Sequence, residues 1–95
     1  PIVGHVGDGN FHAQLLIHPD TREEDLRICG EINRRIIERA IAMDGTCTGE
    51  HGVGQGKIGY LELEHGEAVD VMRTLKLALD PQNIMNPGKM IELAN

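Results

Sequence analysis

The chain has 95 residues, of which 9 are Lys or Arg and 15 are Asp or Glu, giving a net charge of −6 at neutral pH. This length allows one small domain at most. The basic residues are scattered instead of clustered, which disfavours nucleic-acid binding, and no apolar run approaches the ~20 residues that span a bilayer. The chain opens on Pro1 inside a predicted strand, so we expect it to be a piece of a longer protein.

The first predicted element is a β-hairpin built from two alternating runs, residues 2–6 and residues 11–17. Between them, Asp8-Gly9 is typical of a two-residue turn, because both central positions of that turn need positive φ. A turn there places His5 directly opposite His12, with their Cβ atoms about 4.5–5.5 Å apart on one face. Two imidazoles so arranged can bind one divalent cation, which makes both histidines candidate metal ligands.

The hairpin face that carries these histidines is otherwise polar. Asn10 and Gln14 alternate in phase with His12, so both are candidates for hydrogen bonds to a bound substrate. The opposite face carries apolar residues such as Phe11 and Leu15, which predicts that it packs against helices.

A long helix is predicted to follow, from Thr21 to about Met43. Thr21 and Glu24 have the spacing of a capping box, and apolar residues then recur at helical intervals. Gly45 is the expected left-handed cap at the C-terminal end.

The second half of the chain predicts a short extended stretch over residues 46–50, then helices over residues 57–63 and 67–79. The last helix is expected to turn five apolar side chains inward: Ala68, Val71, Met72, Leu75 and Leu79. This order of elements predicts an α+β fold, with helices packed on one face of an antiparallel sheet. An exposed sheet edge would also allow a homodimer.

A glycine-rich segment, residues 45–57, carries the adjacent pair Glu50 and His51. Glycine lets a backbone approach a ligand closely. Neighbours in an extended segment project to opposite faces, so the two side chains are expected to have different roles. The simplest assignment makes Glu50 a third metal ligand with His5 and His12, and makes His51 a general base. The reverse assignment, with His51 as ligand and Glu50 as base, also fits the spacing.

Three stretches of the chain carry a family resemblance. They read GHVGDGNFH over residues 4–12, GEHGVG over residues 49–54 and DPQNIMNPGK over residues 80–89. In this order, and over essentially the whole chain, they resemble the closing motifs of FAD-linked oxidases. That family includes cytochrome-type D-lactate dehydrogenase, the glycolate oxidase FAD subunit and D-2-hydroxyglutarate dehydrogenase.

The resemblance implies a C-terminal fragment, residues 1–95, of the cap or substrate domain, built as a partial ferredoxin-like unit. It implies oxidation of a D-2-hydroxy acid such as D-lactate or glycolate by FAD, which an upstream domain would mainly bind. It also implies zinc or manganese on His5, His12 and Glu50, with His51 as the base. Asn86 would approach the flavin.

Further expectations concern partners and location. The resemblance implies an electron acceptor, either a protein or a quinone or cytochrome. We expect a cytoplasmic location, peripheral to the inner membrane in some cases and mitochondrial in a eukaryote. Without the flavin domain, the isolated chain is expected to be inactive.

Two other functions fit the same residues when the resemblance is set aside. A non-catalytic metal-binding α+β module would use the two histidines and Glu50 in a closed shell. A metal-dependent hydrolase would use His51 to activate water. Ligand count does not separate these alternatives from an oxidase.

Overall fold

The fold is a small α+β arrangement, as the order of predicted elements indicated. The computed structural model describes residues 1–93, and within them lie a two-stranded antiparallel sheet and three α-helices. None of the helices in this described part is long and apolar enough to cross a membrane. The chain divides into two compact units, residues 1–39 and residues 40 onward. The ferredoxin-like detail remains a prediction.

The first unit opens with a hairpin whose strands are β1 (Ile2–Val3) and β2 (His12–Ala13). Val3 pairs with His12. The predicted register, which placed His5 opposite His12, is therefore wrong by two residues. Because the shift is even, it preserves which residues alternate onto each face of the hairpin.

The register shift has a local cause in the connection between the strands. Val6–Asp8 form a 3₁₀ turn, and Gly9 follows in the left-handed region with φ 78°. The His5 carbonyl accepts hydrogen bonds from the Asp8 N–H at 2.9 Å and from the Asn10 N–H at 3.2 Å. Since Asp8 lies inside the 3₁₀ turn, the chain closes a four-residue loop instead of the predicted two-residue one.

The long helix α1 spans Glu23–Ala42, within two residues of its predicted limits. The turn before α1 is stabilised by a hydrogen bond in which the Thr21 hydroxyl accepts the His18 N–H at 2.9 Å. Although the helix is amphipathic, no residue of α1 is buried among those that the structure describes. Leu26, on its predicted apolar side, remains 41% exposed.

Helix α1 ends in a Schellman motif. The Gly45 N–H donates to the Ala40 carbonyl at 2.7 Å, and the Asp44 N–H donates to the Ile41 carbonyl at 3.0 Å. Asp44 holds the left-handed position with φ 63°, so the prediction that Gly45 would occupy it is wrong by one residue. Glycine is needed at position 45 for another reason: a Cβ there would lie 2.8 Å from the Ala40 carbonyl oxygen.

The second unit contains a hydrophobic core between two helices and the C-terminal segment. The helices are α2 (Ile58–His65) and α3 (Ala68–Leu79). Leu61, Val69 and Ile91 are buried together. Three partly buried side chains pack around them: Val53, Met72 and Leu93.

The inward face of α3 differs from the predicted one. Val69 is 1% exposed, whereas Val71 and Leu75, which were expected inside, are 62% and 59% exposed. The half-buried Lys76 and the buried Asp80 continue the stripe that Val69 and Met72 begin. Apolar periodicity alone misplaced this face because two of its positions carry charge.

Candidate active site

Glu50 and His51 lie at the tip of a tight turn in the glycine-rich segment. Gly49 and Gly52 form an isolated antiparallel bridge, and the Gly52 N–H donates to the Gly49 carbonyl at 3.0 Å. Gly52 has φ 79°, a left-handed value that favours glycine. The stretch predicted to be extended over residues 46–50 therefore ends in a turn that begins at Gly49, and the expectation that the Glu50 and His51 side chains point apart does not hold. Glu50 Oε1 lies 3.6 Å from His51 Nε2.

The chain that leads into this turn is tied to α2 through Glu64. Its Oε1 accepts the Cys47 N–H at 2.7 Å. The Thr46 hydroxyl lies within hydrogen-bond distance of both carboxylate oxygens, 2.8 and 2.9 Å away. His65 Nε2 lies 2.8 Å from Oε2. Lys57, directly before α2, donates to the Cys47 carbonyl at 2.9 Å, so both backbone groups of Cys47 are bound.

These contacts set the ionisation of the groups involved. Burial alone would raise the pKa of Glu64, but the hydrogen bonds from the Cys47 N–H and the Thr46 hydroxyl outweigh it and lower that pKa. The pKa of the Cys47 thiol is raised, first by burial and then by the neighbouring Glu64. Glu64 is therefore an anionic anchor, and Cys47 is a neutral, buried thiol unsuited to nucleophilic chemistry.

The chain that leaves the turn is held by the hydrophobic core and by the C-terminal segment. Val53 packs against the core, and the Met90 N–H donates to the Gly54 carbonyl. Lys89 Nζ donates to Gln55 Oε1 at 3.0 Å. The turn is therefore supported on both sides by its own unit.

Asn86, the predicted flavin contact, lies in a loop organised by Asp80. The Asp80 carboxylate is 5% exposed and accepts the Ile84 N–H at 3.0 Å and the Met85 N–H at 2.9 Å. Lys76 forms an ion pair with Asp80 and also donates to the Met85 carbonyl. The Lys76 ammonium and the Ile84 N–H lower the Asp80 pKa to about 2.

The loop presents Asn86 at its surface. Asn86 is exposed, with φ 46°, and its carbonyl accepts the Lys89 N–H at 3.3 Å. Two side chains that order this region and the turn, Asp80 and Glu64, were not predicted from the sequence to have such roles. A signal for Asp80 was available, because it continues the helical spacing of Val69 and Met72.

The other predicted site residues lie on the hairpin of the first unit. His5 lies beyond the end of β1, where its carbonyl accepts the Asn10 N–H at 3.2 Å, whereas His12 lies in β2 opposite Val3, so the two histidines are not a directly opposed pair. His12 and Asn10 are half-buried, whereas His5 and Gln14 are exposed. Among the described residues, the Asn10 side-chain oxygen is enclosed and has no hydrogen-bond partner.

This chain is similar in sequence to known proteins over almost its whole length. Residues 2–90 match the family model for FAD linked oxidases, C-terminal domain. The chain is 53% identical over 94 residues to the probable mitochondrial D-lactate dehydrogenase of Danio rerio, a match that covers 98% of this chain and 19% of that protein.

Two bacterial relatives extend the comparison. The glycolate oxidase subunit GlcD of Bacillus subtilis is 47% identical over 88 residues, covering 92% of this chain and 18% of the relative. The D-2-hydroxyglutarate dehydrogenase of Stutzerimonas stutzeri is 39% identical over 90 residues, covering 92% and 19%. The chain thus spans about a fifth of the length of the curated relatives it matches. It belongs to the family of FAD-linked oxidases and corresponds to their C-terminal domain.

Proposed function

We propose that this chain is the C-terminal part of a flavoenzyme that oxidises a D-2-hydroxy acid of the D-lactate or glycolate type, with His51 as the general base. Family membership supports the flavin chemistry, and relatives named as D-lactate dehydrogenases and a glycolate oxidase subunit support the substrate class. Membership also favours this function over a hydrolase or a non-catalytic metal module.

The observation that carries the proposal is the pair at the tip of the turn. The His51 side chain is 83% exposed and therefore accessible to substrate, and the Glu50 carboxylate lies 3.6 Å away. Histidine exchanges protons near neutral pH. His51 would accept the proton of the substrate hydroxyl at an imidazole nitrogen, and the Glu50 carboxylate would stabilise the imidazolium that results.

FAD, when bound, supplies the acceptor for the hydride that leaves the α-carbon, so that the hydroxy acid becomes a 2-keto acid. Asn86 is the residue we assign to flavin contact, because its loop is ordered and its side chain is exposed. The upstream part of the protein would supply most of the flavin site. This function would also require an electron acceptor, which we propose is a protein, a quinone or a cytochrome.

We assign a divalent metal, zinc or manganese, to His5, His12 and Glu50. Two imidazoles and a carboxylate fit such an ion chemically, and His5 and His12 both belong to the hairpin of the first unit. When bound, the ion supplies positive charge that lowers the pKa of the substrate hydroxyl. Asn10 and Gln14, which flank His12 in the same hairpin, are assigned to substrate. The enclosed, unpartnered oxygen of Asn10 supports its part in this assignment.

Single substitutions in the flavoenzyme that carries this domain separate these roles. His51→Ala is expected to retain metal and lose about 10²–10⁴-fold in the rate of flavin reduction by substrate. His5→Ala, His12→Ala and Glu50→Ala are expected to lose metal. Metal content is measured by elemental analysis, and flavin reduction by stopped-flow absorbance.

The exposed His18 of the first unit is a suitable control for the histidine substitutions, because His18→Ala should change neither property. Metal loss in His51→Ala with retention in Glu50→Ala would exchange the two roles. Full flavin reduction in His51→Ala would refute the proposed base.

Three further expectations belong to the same proposal. The 95-residue chain alone should show no dehydrogenase activity, since it lacks most of the flavin site. A eukaryotic source would place the protein in mitochondria, as the name of the Danio rerio relative says of that protein. Sedimentation of the isolated chain would test the homodimer predicted from its sheet edge.

A further inference from the structure

We propose that Glu64 is a positioning residue for the Glu50–His51 turn, acting through the chain segment that leads into it. This inference rests on the proposed function, because it assigns Glu64 a role only if Glu50 and His51 do the chemistry. Glu64 itself stands on α2, outside the turn, and has no role in the family assignment made above.

The Glu64 carboxylate contacts several groups at once. One carboxylate binds the Cys47 N–H, the Thr46 hydroxyl and the His65 ring at 2.7–2.9 Å. The Thr46 oxygen in turn accepts the Thr48 N–H at 3.0 Å. The carboxylate therefore orders three consecutive residues, 46–48, immediately before Gly49 begins the turn.

The surroundings of Glu64 strengthen these contacts. The Glu64 side chain is only 10% exposed, and charge-assisted hydrogen bonds in such surroundings are stronger than exposed ones. Its helix neighbour Leu61 is 3% exposed in the hydrophobic core. Glu64 thus links the core of the second unit to the polar segment that enters the turn.

The turn by itself does little to set the position of Glu50 and His51. Glycines flank the catalytic pair on both sides, at positions 49 and 52, and glycine restricts the backbone least. The position of the pair must therefore be set by the segments on either side. Val53 and the Met90–Gly54 hydrogen bond hold one side, and Glu64 with Lys57 holds the other.

The test compares Glu64→Ala with Glu62→Gln in the flavoenzyme that carries this domain. Glu62 lies on the same helix about 200° around its axis and forms an ion pair with Arg73 instead of the turn segment. Glu64→Ala is expected to lower kcat by about 10- to 100-fold, the size of effect that a displaced catalytic group produces. Glu62→Gln should keep the kcat of the unsubstituted enzyme.

Three further variants distinguish positioning from a general loss of structure. Glu64→Gln keeps an oxygen that can accept the Cys47 N–H, and it should recover most of the kcat lost in Glu64→Ala. Thr46→Val removes only a hydroxyl at an exposed residue, so it should fold and lower kcat several-fold, whereas Thr46→Ser should restore it. If Glu64→Ala does not fold, the Thr46 pair decides the question.

Bound flavin and thermal melting are measured for every variant alongside kcat. If folded Glu64→Ala and Thr46→Val turn over as fast as Glu62→Gln, the positioning role is refuted. Full turnover in His51→Ala would instead refute the proposed function beneath it. The two failures are therefore distinguishable.

Discussion

The two units of this chain differ in how they bury apolar side chains. In residues 40–93, Leu61 and Val69 are 3% and 1% exposed, within a core closed by two helices and the C-terminal segment. In residues 1–39, all of which the structure describes, no residue is buried. Helix α1 is more strongly amphipathic than α2, yet α2 contributes a residue to the hydrophobic core and α1 does not.

An apolar stripe on a helix therefore makes its burial possible but does not ensure it. A helix buries its stripe when other elements supply a complementary surface. A two-stranded hairpin with one helix provides little surface for that purpose, because small assemblies bury a small fraction of their area. In the second unit, residues far apart in the chain, such as Val53 and Ile91, close the core.

The largest expected effect contrasts one leucine from each unit. Leu61→Ala should destabilise the 95-residue chain by about 2–5 kcal/mol, since it opens a cavity in a closed core. Leu26→Ala, at a 41% exposed position of α1, should cost less than about 1 kcal/mol. Urea denaturation followed by circular dichroism measures both. Equal costs would mean that the two units do not differ as described.

A second effect is the acid sensitivity of the second unit, which depends on Asp80. The pKa of Asp80 is about 2 in the folded chain, below its ordinary value of 3.8. A depressed pKa means that the folded state favours the ionised carboxylate. Its stabilising contribution is therefore complete above pH 3.8 and is lost as the pH falls through about 2.

Asp80→Asn tests this assignment. The variant should be less stable than the parent at neutral pH, and its urea midpoint should fall less steeply between pH 3.8 and about 2. Glu64, whose pKa is also lowered, would still contribute some acid sensitivity in both proteins. Identical pH profiles for the two would show that Asp80 does not stabilise the loop that carries Asn86.

Two glycine substitutions are expected to have opposite effects on the stability of the chain. Gly30→Ala in α1 should stabilise the chain by about 0.5–1 kcal/mol, because a Cβ there has open space. Gly45→Ala should destabilise it by about 1 kcal/mol or more, since its Cβ would lie 2.8 Å from the Ala40 carbonyl oxygen. Melting temperatures give both signs, and a lower value for Gly30→Ala would show that α1 is more closely covered than described.

The smallest expected effect is at an exposed ion pair of α1. Arg34 and Glu38 lie one helical turn apart with 2.8 Å between charged atoms, and both side chains are largely exposed. Glu38→Gln should therefore cost only about 0.2–0.5 kcal/mol, and less at high salt. Urea denaturation at two salt concentrations checks this. A loss above that of Leu26→Ala would show that the charges of the first unit matter more than its apolar contacts.

Local features of the chain were largely predictable from sequence. All three helices form within a few residues of their predicted limits, because helical spacing, turn residues and helix-ending signals depend on near neighbours. The hairpin also forms, but its register was wrong. Asp8-Gly9 is compatible with several turn lengths, and the hydrogen bonds accepted by the His5 carbonyl select the longer one.

The candidate site was likewise predictable from sequence only in part. The sequence by itself determined the family, the chemistry of the donor side chains and the adjacency of Glu50 and His51. Only the tertiary structure decided that these two side chains approach within 3.6 Å, and that Glu64 orders the segment before the proposed site residues Glu50 and His51. The Glu64 carboxylate accepts the N–H of Cys47, which lies 17 positions away in the chain. Such contacts arise from packing, and periodicity along the chain does not encode them.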